Sequence, residues 1–158
     1  MTDPTALPNF PPPPDEHPLR GRVLDVLIAA GTAPRLDDDG DVAFVVSEQK
    51  LFARCVDGEL PMMRVFGQWR IDTGSGPDEL TWLRAASTVT VTHNLVKVAV
   101  HGGVLLVAVD TVVIGSAPLD LLVGTAVQSV LAGVGGCHRA VEGGAGPEAD
   151  QQPSDEGS

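Results

Sequence analysis

The chain contains no tyrosine, and its aromatic complement is four Phe and two Trp. One common proton donor and acceptor is therefore missing before any site is sought. Cysteine is nearly absent. Cys55 and Cys137 stand alone, neither in a CxxC spacing, which rules out a disulfide framework. No basic segment precedes an apolar run at the start, so no secretory signal is expected. The longest apolar stretch, residues 98–114, is broken by His101-Gly102-Gly103 and Asp110, too interrupted to span a bilayer. GxSxG, HExxH, GxxxxGK[ST] and a strand-linked GxGxxG are all missing. His17, His93, His101 and His138 are not spaced as ligand pairs. These absences point to a cytoplasmic protein with no catalytic residue, no metal and no cofactor, and so to no enzyme. The alternative is a small-ligand-binding or enzymatic domain, which would need a deep polar-lined pocket holding a perturbed titratable group.

Positive charge is scarce and unevenly placed. Two Lys and eight Arg face 21 acids, for a net charge of −11. The arginine-rich, Ala-, Val- and Gly-heavy composition is that of a GC-rich bacterial genome. All ten cations lie within residues 19–142 together with fourteen acids, whereas the two ends hold seven acids and no base. Such a chain repels phosphate backbones, so neither nucleic acid nor membrane is an expected partner. Residues 1–18 include Phe10-Pro11-Pro12-Pro13-Pro14, and residues 143–158 contain no Val, Ile, Leu or aromatic residue. Neither end can bury enough apolar surface to offset its ordering entropy. The expected organisation is a Pro-rich flexible N-terminus (1–18), one α+β domain (19–142) and a disordered acidic tail (143–158).

Within the domain, apolar spacing at Val23, Leu24, Leu27 and Ile28 predicts a helix over residues 19–30, closed by Gly31 and Pro34. Residues 42–46, 50–56 and 62–71 read as strands joined by short turns, an antiparallel meander. Pro77-Asp78-Glu79 suits a helix start. We extend that helix to Thr92, although Thr88-Val89-Thr90-Val91-Thr92 alternates like a strand. Residues 95–100 and 104–109 flank His101-Gly102-Gly103 as a second hairpin. From Pro118, Leu119, Leu122, Val123, Ala126, Val127, Val130 and Val134 form one helical stripe, which Gly135-Gly136 is expected to end or kink. The order is α-β-β-β-α-β-β-α, an antiparallel sheet packed with helices.

Two stretches resemble ligand sites and are read as turns or loops. Asp37-Asp38-Asp39-Gly40-Asp41 places acids at positions 1, 3 and 5 of a calcium loop and Glu48 at position 12. Position 6 is Val42, where glycine is required, and no helix enters at Pro34. A hairpin turn is the expectation. Gly74-Ser75-Gly76 precedes a helix but lacks the lysine of a phosphate loop. The polyproline run reads as a stiff spacer, or as an extended segment that docks on an aromatic groove.

The most informative segment is the third long strand. Alternation puts Met63, Val65, Trp69 and Ile71 on one face and Met62, Arg64, Phe66, Gln68 and Arg70 on the other. Phe52 and Arg54 on the preceding strand extend the second set. Arg, Met and Phe are enriched at interfaces, so Met62, Arg64, Phe66, Arg70, Phe52 and Arg54 form a candidate partner surface. The other reading is that Phe66 and Met62 lie beneath a loop or helix.

The element order, with the opening Leu19-Arg20-Gly21-Arg22-Val23-Leu24, the Leu36-Asp37-Asp38-Asp39-Gly40-Asp41-Val42 stretch, Phe66-Gly67-Gln68-Trp69, Asn94-Leu95-Val96-Lys97 and the final helix, resembles the YbjN-like branch of the type III secretion chaperone-like superfamily. The resemblance covers roughly residues 19–140. It implies a homodimer that binds an unidentified protein or peptide client without catalysis, and it assigns no functional residue. Leu121 and Leu131, outside the main stripe of the last helix, supply apolar surface for a second copy. A further option is a regulatory adaptor engaged through the proline-rich segment.

Overall fold

The computed structural model describes residues 17–144, and they form an α+β fold. Helix α1 (Pro18–Ala29) leads into strands β1 (Arg35–Leu36), β2 (Val42–Val46), β3 (Gln49–Val56) and β4 (Met62–Arg70). Helix α2 (Glu79–Thr92), the β5 (Val96–His101) and β6 (Val104–Val112) hairpin and helix α3 (Leu119–Gly144) follow. The six strands make one antiparallel sheet in the order β1-β2-β3-β4-β6-β5. The two-residue β1 is the one strand that the sequence pattern does not predict. It is too short to alternate and exists because Arg35 and Leu36 pair with Ala43 and Val42.

Period-two alternation sorts the strands into two faces. Val42, Phe44, Leu51, Ala53, Met63, Val65, Leu105, Val107 and Val109 point to one side and are almost wholly buried. All three helices pack against that side, through Leu19, Val23 and Leu27 of α1, Trp82, Ala85 and Val89 of α2, and the long apolar stripe of α3. Among the described residues no element covers the opposite face.

Local chemistry explains most boundaries. Pro18 opens α1, where a missing N–H costs nothing, and the Leu19 amide is capped from a distance by the Asp57 carboxylate at 3.1 Å. Asp78 caps α2 by accepting from the Thr81 amide at 2.9 Å. The strand-like Thr-Val repeat stays helical because its hydroxyls bond backward within the helix: Thr88 Oγ1 donates to the Arg84 carbonyl and Thr92 Oγ1 to that of Thr88. Val89 is then free to bury on α3.

Two expectations are corrected. Gly135-Gly136 neither ends nor interrupts the last helix, which runs on to Gly144 with Cys137 and Val141 buried. Gly133 and Gly136 mark close packing: a Cβ on Gly133 would lie 2.9 Å from Val107 Cγ1 and 3.0 Å from Val96 Cγ1, and one on Gly136 would lie 3.2 Å from Val89 Cγ2. The domain limits also move outward, since Pro18 belongs to α1 and residues 143–144 to α3. The expectations for residues 1–16 and 145–158, including the polyproline run and the acidic tail, lie outside the described residues.

Candidate functional site

The uncovered face of the sheet gathers the predicted residues into rows across the strands. Phe52 stands opposite Phe66 and Arg54 opposite Arg64. Val56 stands opposite Met62, and Met62 opposite Val112. The Phe52 and Phe66 rings stack at 5.3 Å. Arg54 lies over the Phe66 ring at 5.5 Å and Lys50 over the Phe52 ring at 5.3 Å. All six residues predicted as a partner surface share this face.

Their roles differ from the sequence expectation in one respect. Phe66 is only 7 % exposed, although no loop or helix among the described residues lies on it. Its neighbours on the same face close over it: Phe52 stacks alongside and Arg54 sits above. Phe66 is thus a support, and the groups presented outward are Met62, at 37 % exposure, with Val56 and Val112 on either side. These three line up as an apolar row at the β3–β4 turn, beside a cleft of about 190 Å³ bordered by Arg54, Arg64 and Asp110. A second hollow, of about 290 Å³, opens farther along β4 between Gln68, Leu106, Ala99, His101 and Val104.

Ion pairs hold part of the face in place. Arg64 donates to both Asp110 oxygens, at 2.6 and 3.0 Å, and Lys97 reaches the same carboxylate at 2.5 Å. Asp110 is consequently held well below the usual carboxylate range, chiefly by Arg64. Arg54 grips Asp41 with two bonds, of 2.9 and 2.7 Å, and its guanidinium is shifted upward by that partner. Asp41 is 3 % exposed, the one buried charged side chain among the described residues, and a buried charge requires such a partner.

Sequence reasoning missed Lys50, Lys97, Asp110, Val56 and Val112. Lys50 and Val56 were legible, since they continue the alternation of Phe52 and Arg54. Lys97, Asp110 and Val112 were not, because their placement depends on β6 pairing with β4 across some forty intervening residues, as in the Arg64–Asp110 pair.

The two ligand-like stretches are accounted for locally. The Asp37 carboxylate accepts from the Asp39 and Asp41 amides, both at 2.9 Å, and the Asp37 amide donates to the Asp41 carbonyl. This is a tight turn between β1 and β2. The carboxylates of Asp37, Asp39 and Asp41 come within 4.8 Å of one another, but both Asp41 oxygens are engaged by Arg54. Glu48 stands at the far end of extended β2, roughly 16 Å along the chain, so the calcium-loop geometry is not formed. In the Gly74-Ser75-Gly76 loop, the Gly74 and Ser75 amides and the Ser75 hydroxyl all donate to Asp72. Those amides are committed to a carboxylate of the chain itself.

Helix α3 is the one described helix long and apolar enough by composition to cross a bilayer. Its apolar stripe packs on the sheet, α1 and α2. Neither cysteine is poised as a nucleophile, since burial pushes the Cys55 and Cys137 thiols up to about 11. The chain matches no known family profile and no curated protein.

Proposed function

We propose that this chain is a non-enzymatic, chaperone-like module of a bacterial cytoplasm that binds protein or peptide through the uncovered face of its sheet. The observation that carries the reading is the row Val56–Met62–Val112, exposed beside a cleft and flanked by arginines on a rigid six-stranded sheet. Apolar side chains presented this way lose contact with water only when a partner covers them. The reading also draws on the resemblance of the sequence to the YbjN-like branch of the type III secretion chaperone-like superfamily, whose secretion chaperones hold extended client segments without catalysis. Homodimerisation belongs to the same reading. A surface available for it is the outer side of α3, where Leu121 is 63 % exposed beside Asp120 and the uncharged Gly124, Thr125, Gln128 and Ala132. Leu131 is partly buried against the core and adds little there.

Val56→Asp with Met62→Asp tests the binding face, since both side chains are exposed and the fold does not depend on them. Partner capture from the native cell should be lost while the melting temperature stays within a few degrees. Equal capture by the variant rejects the face. Light scattering on dilute protein tests the dimer, and a stable monomer rejects it.

A further inference from the structure

The uncovered face is positively charged in a strongly acidic protein. Six of the ten cations, Arg35, Lys50, Arg54, Arg64, Arg70 and Lys97, project from its strands. Among the described residues only two carboxylates meet them there: Asp110 within β6 and Asp41 just before β2. The other twelve acids of the described residues lie on helices and turns. Arg35, Lys50 and Arg70 have no carboxylate partner among the described residues. From this charge complementarity we infer that the face takes an acidic peptide segment, extended along β4, with apolar side chains entering the hollows beside Met62 and beside Leu106. This rests on the reading of the face as a protein-binding surface, and it adds the chemistry of the partner.

The two hollows fit an extended ligand. Met62 and Gln68 are six residues apart on β4, so the hollows lie roughly 20 Å apart. A strand-like segment of comparable length spans them, its acids alongside Arg64, Arg70 and Lys50. A second copy of the same face is disfavoured, because a two-fold contact would set six cations against six. Single-stranded nucleic acid is disfavoured by the ring geometry. Phe52 and Phe66 stack on each other, and Lys50 and Arg54 lie over their rings, so no aromatic face is open to a base. The net charge of −11 repels a polyphosphate at longer range.

The test pans a random dodecapeptide display library on the full chain and on two variants. One is Lys50→Glu/Arg70→Glu, which reverses unpaired exposed cations, and the other is Met62→Asp. Enrichment of sequences rich in Asp and Glu with interspersed Leu, Ile or Phe is expected. A synthetic peptide of that consensus should bind the Lys50→Glu/Arg70→Glu protein about tenfold or more weakly at low salt, with the gap narrowing as salt rises. Enriched peptides with no acidic bias, bound equally by the charge-reversed variant but lost on Met62→Asp, overturn the acidic partner and leave the binding face standing. No enrichment on the unaltered chain overturns both. Retention of an oligouridylate, abolished by Lys50→Glu/Arg70→Glu, overturns the peptide in favour of nucleic acid.

Discussion

Replacing Gly133 by alanine isolates the packing that carries α3 through its glycine-rich segment. In a helix interior alanine is favoured over glycine by about 1 kcal/mol. At Gly124, exposed on the outer side of α3, a Cβ meets nothing within 4 Å, so Gly124→Ala should realise that gain. At Gly133 the same Cβ would press on Val107 and Val96, at 2.9 and 3.0 Å. Both valines are buried, at 0 % and 5 % exposure, and being β-branched they cannot rotate away cheaply. Overpacking of this kind costs about 1–3 kcal/mol, which more than offsets the propensity gain. Because both substitutions lie in one helix, the propensity contribution cancels between them and leaves a gap of about 2 kcal/mol. For a domain of this size that gap corresponds to roughly 8 °C in melting temperature. Thermal unfolding followed by circular dichroism measures it directly. A Gly133→Ala protein as stable as Gly124→Ala would refute the close approach of α3 to β5 and β6.

Three further outcomes follow from local geometry. Ser47 and Glu48 both adopt positive φ, 49° and 63°, in the β2–β3 turn, so Glu48→Gly should stabilise by about 0.5–1 kcal/mol in urea denaturation; a loss of stability would refute the strained turn. Asp110 is held well below the usual carboxylate range by Arg64 and Lys97, so its contribution is complete above about pH 5 and is lost as pH falls through the depressed folded value. The stability advantage over Asp110→Asn should therefore shrink on acidification from about pH 5 downward, and a constant difference would reject the network. With both thiols pushed up to about 11, thiol-reactive dye should label the native protein slowly at neutral pH and rapidly after unfolding. Fast labelling of the native chain would show that Cys55 or Cys137 is more accessible than the fold allows.

Much of the architecture was legible from neighbouring residues alone. Apolar periodicity, the Asp78 cap and the Gly102-Gly103 hairpin are short-range signals, and the observed elements fall within a few residues of them. The alternation of β4 assigned Met63 and Val65 to the core and Met62, Arg64 and Arg70 to the other side for the same reason. What required the folded chain is what depends on distant partners. Gly135-Gly136 looks like a helix end until α2 is seen against it, with His93 Cε1 and Val89 Cγ2 only 3.1 and 3.2 Å from where a Cβ on Gly136 would stand. Phe66 looks like an exposed anchor until Phe52 and Arg54 are found covering it. Lys97 joins the five cations of β1, β3 and β4 only when β6 inserts between β4 and β5, and their face stays open because every helix packs on the opposite side. Local sequence sets which way each side chain points from its own strand; the order of the strands, and the side on which the helices settle, decide what it stands beside.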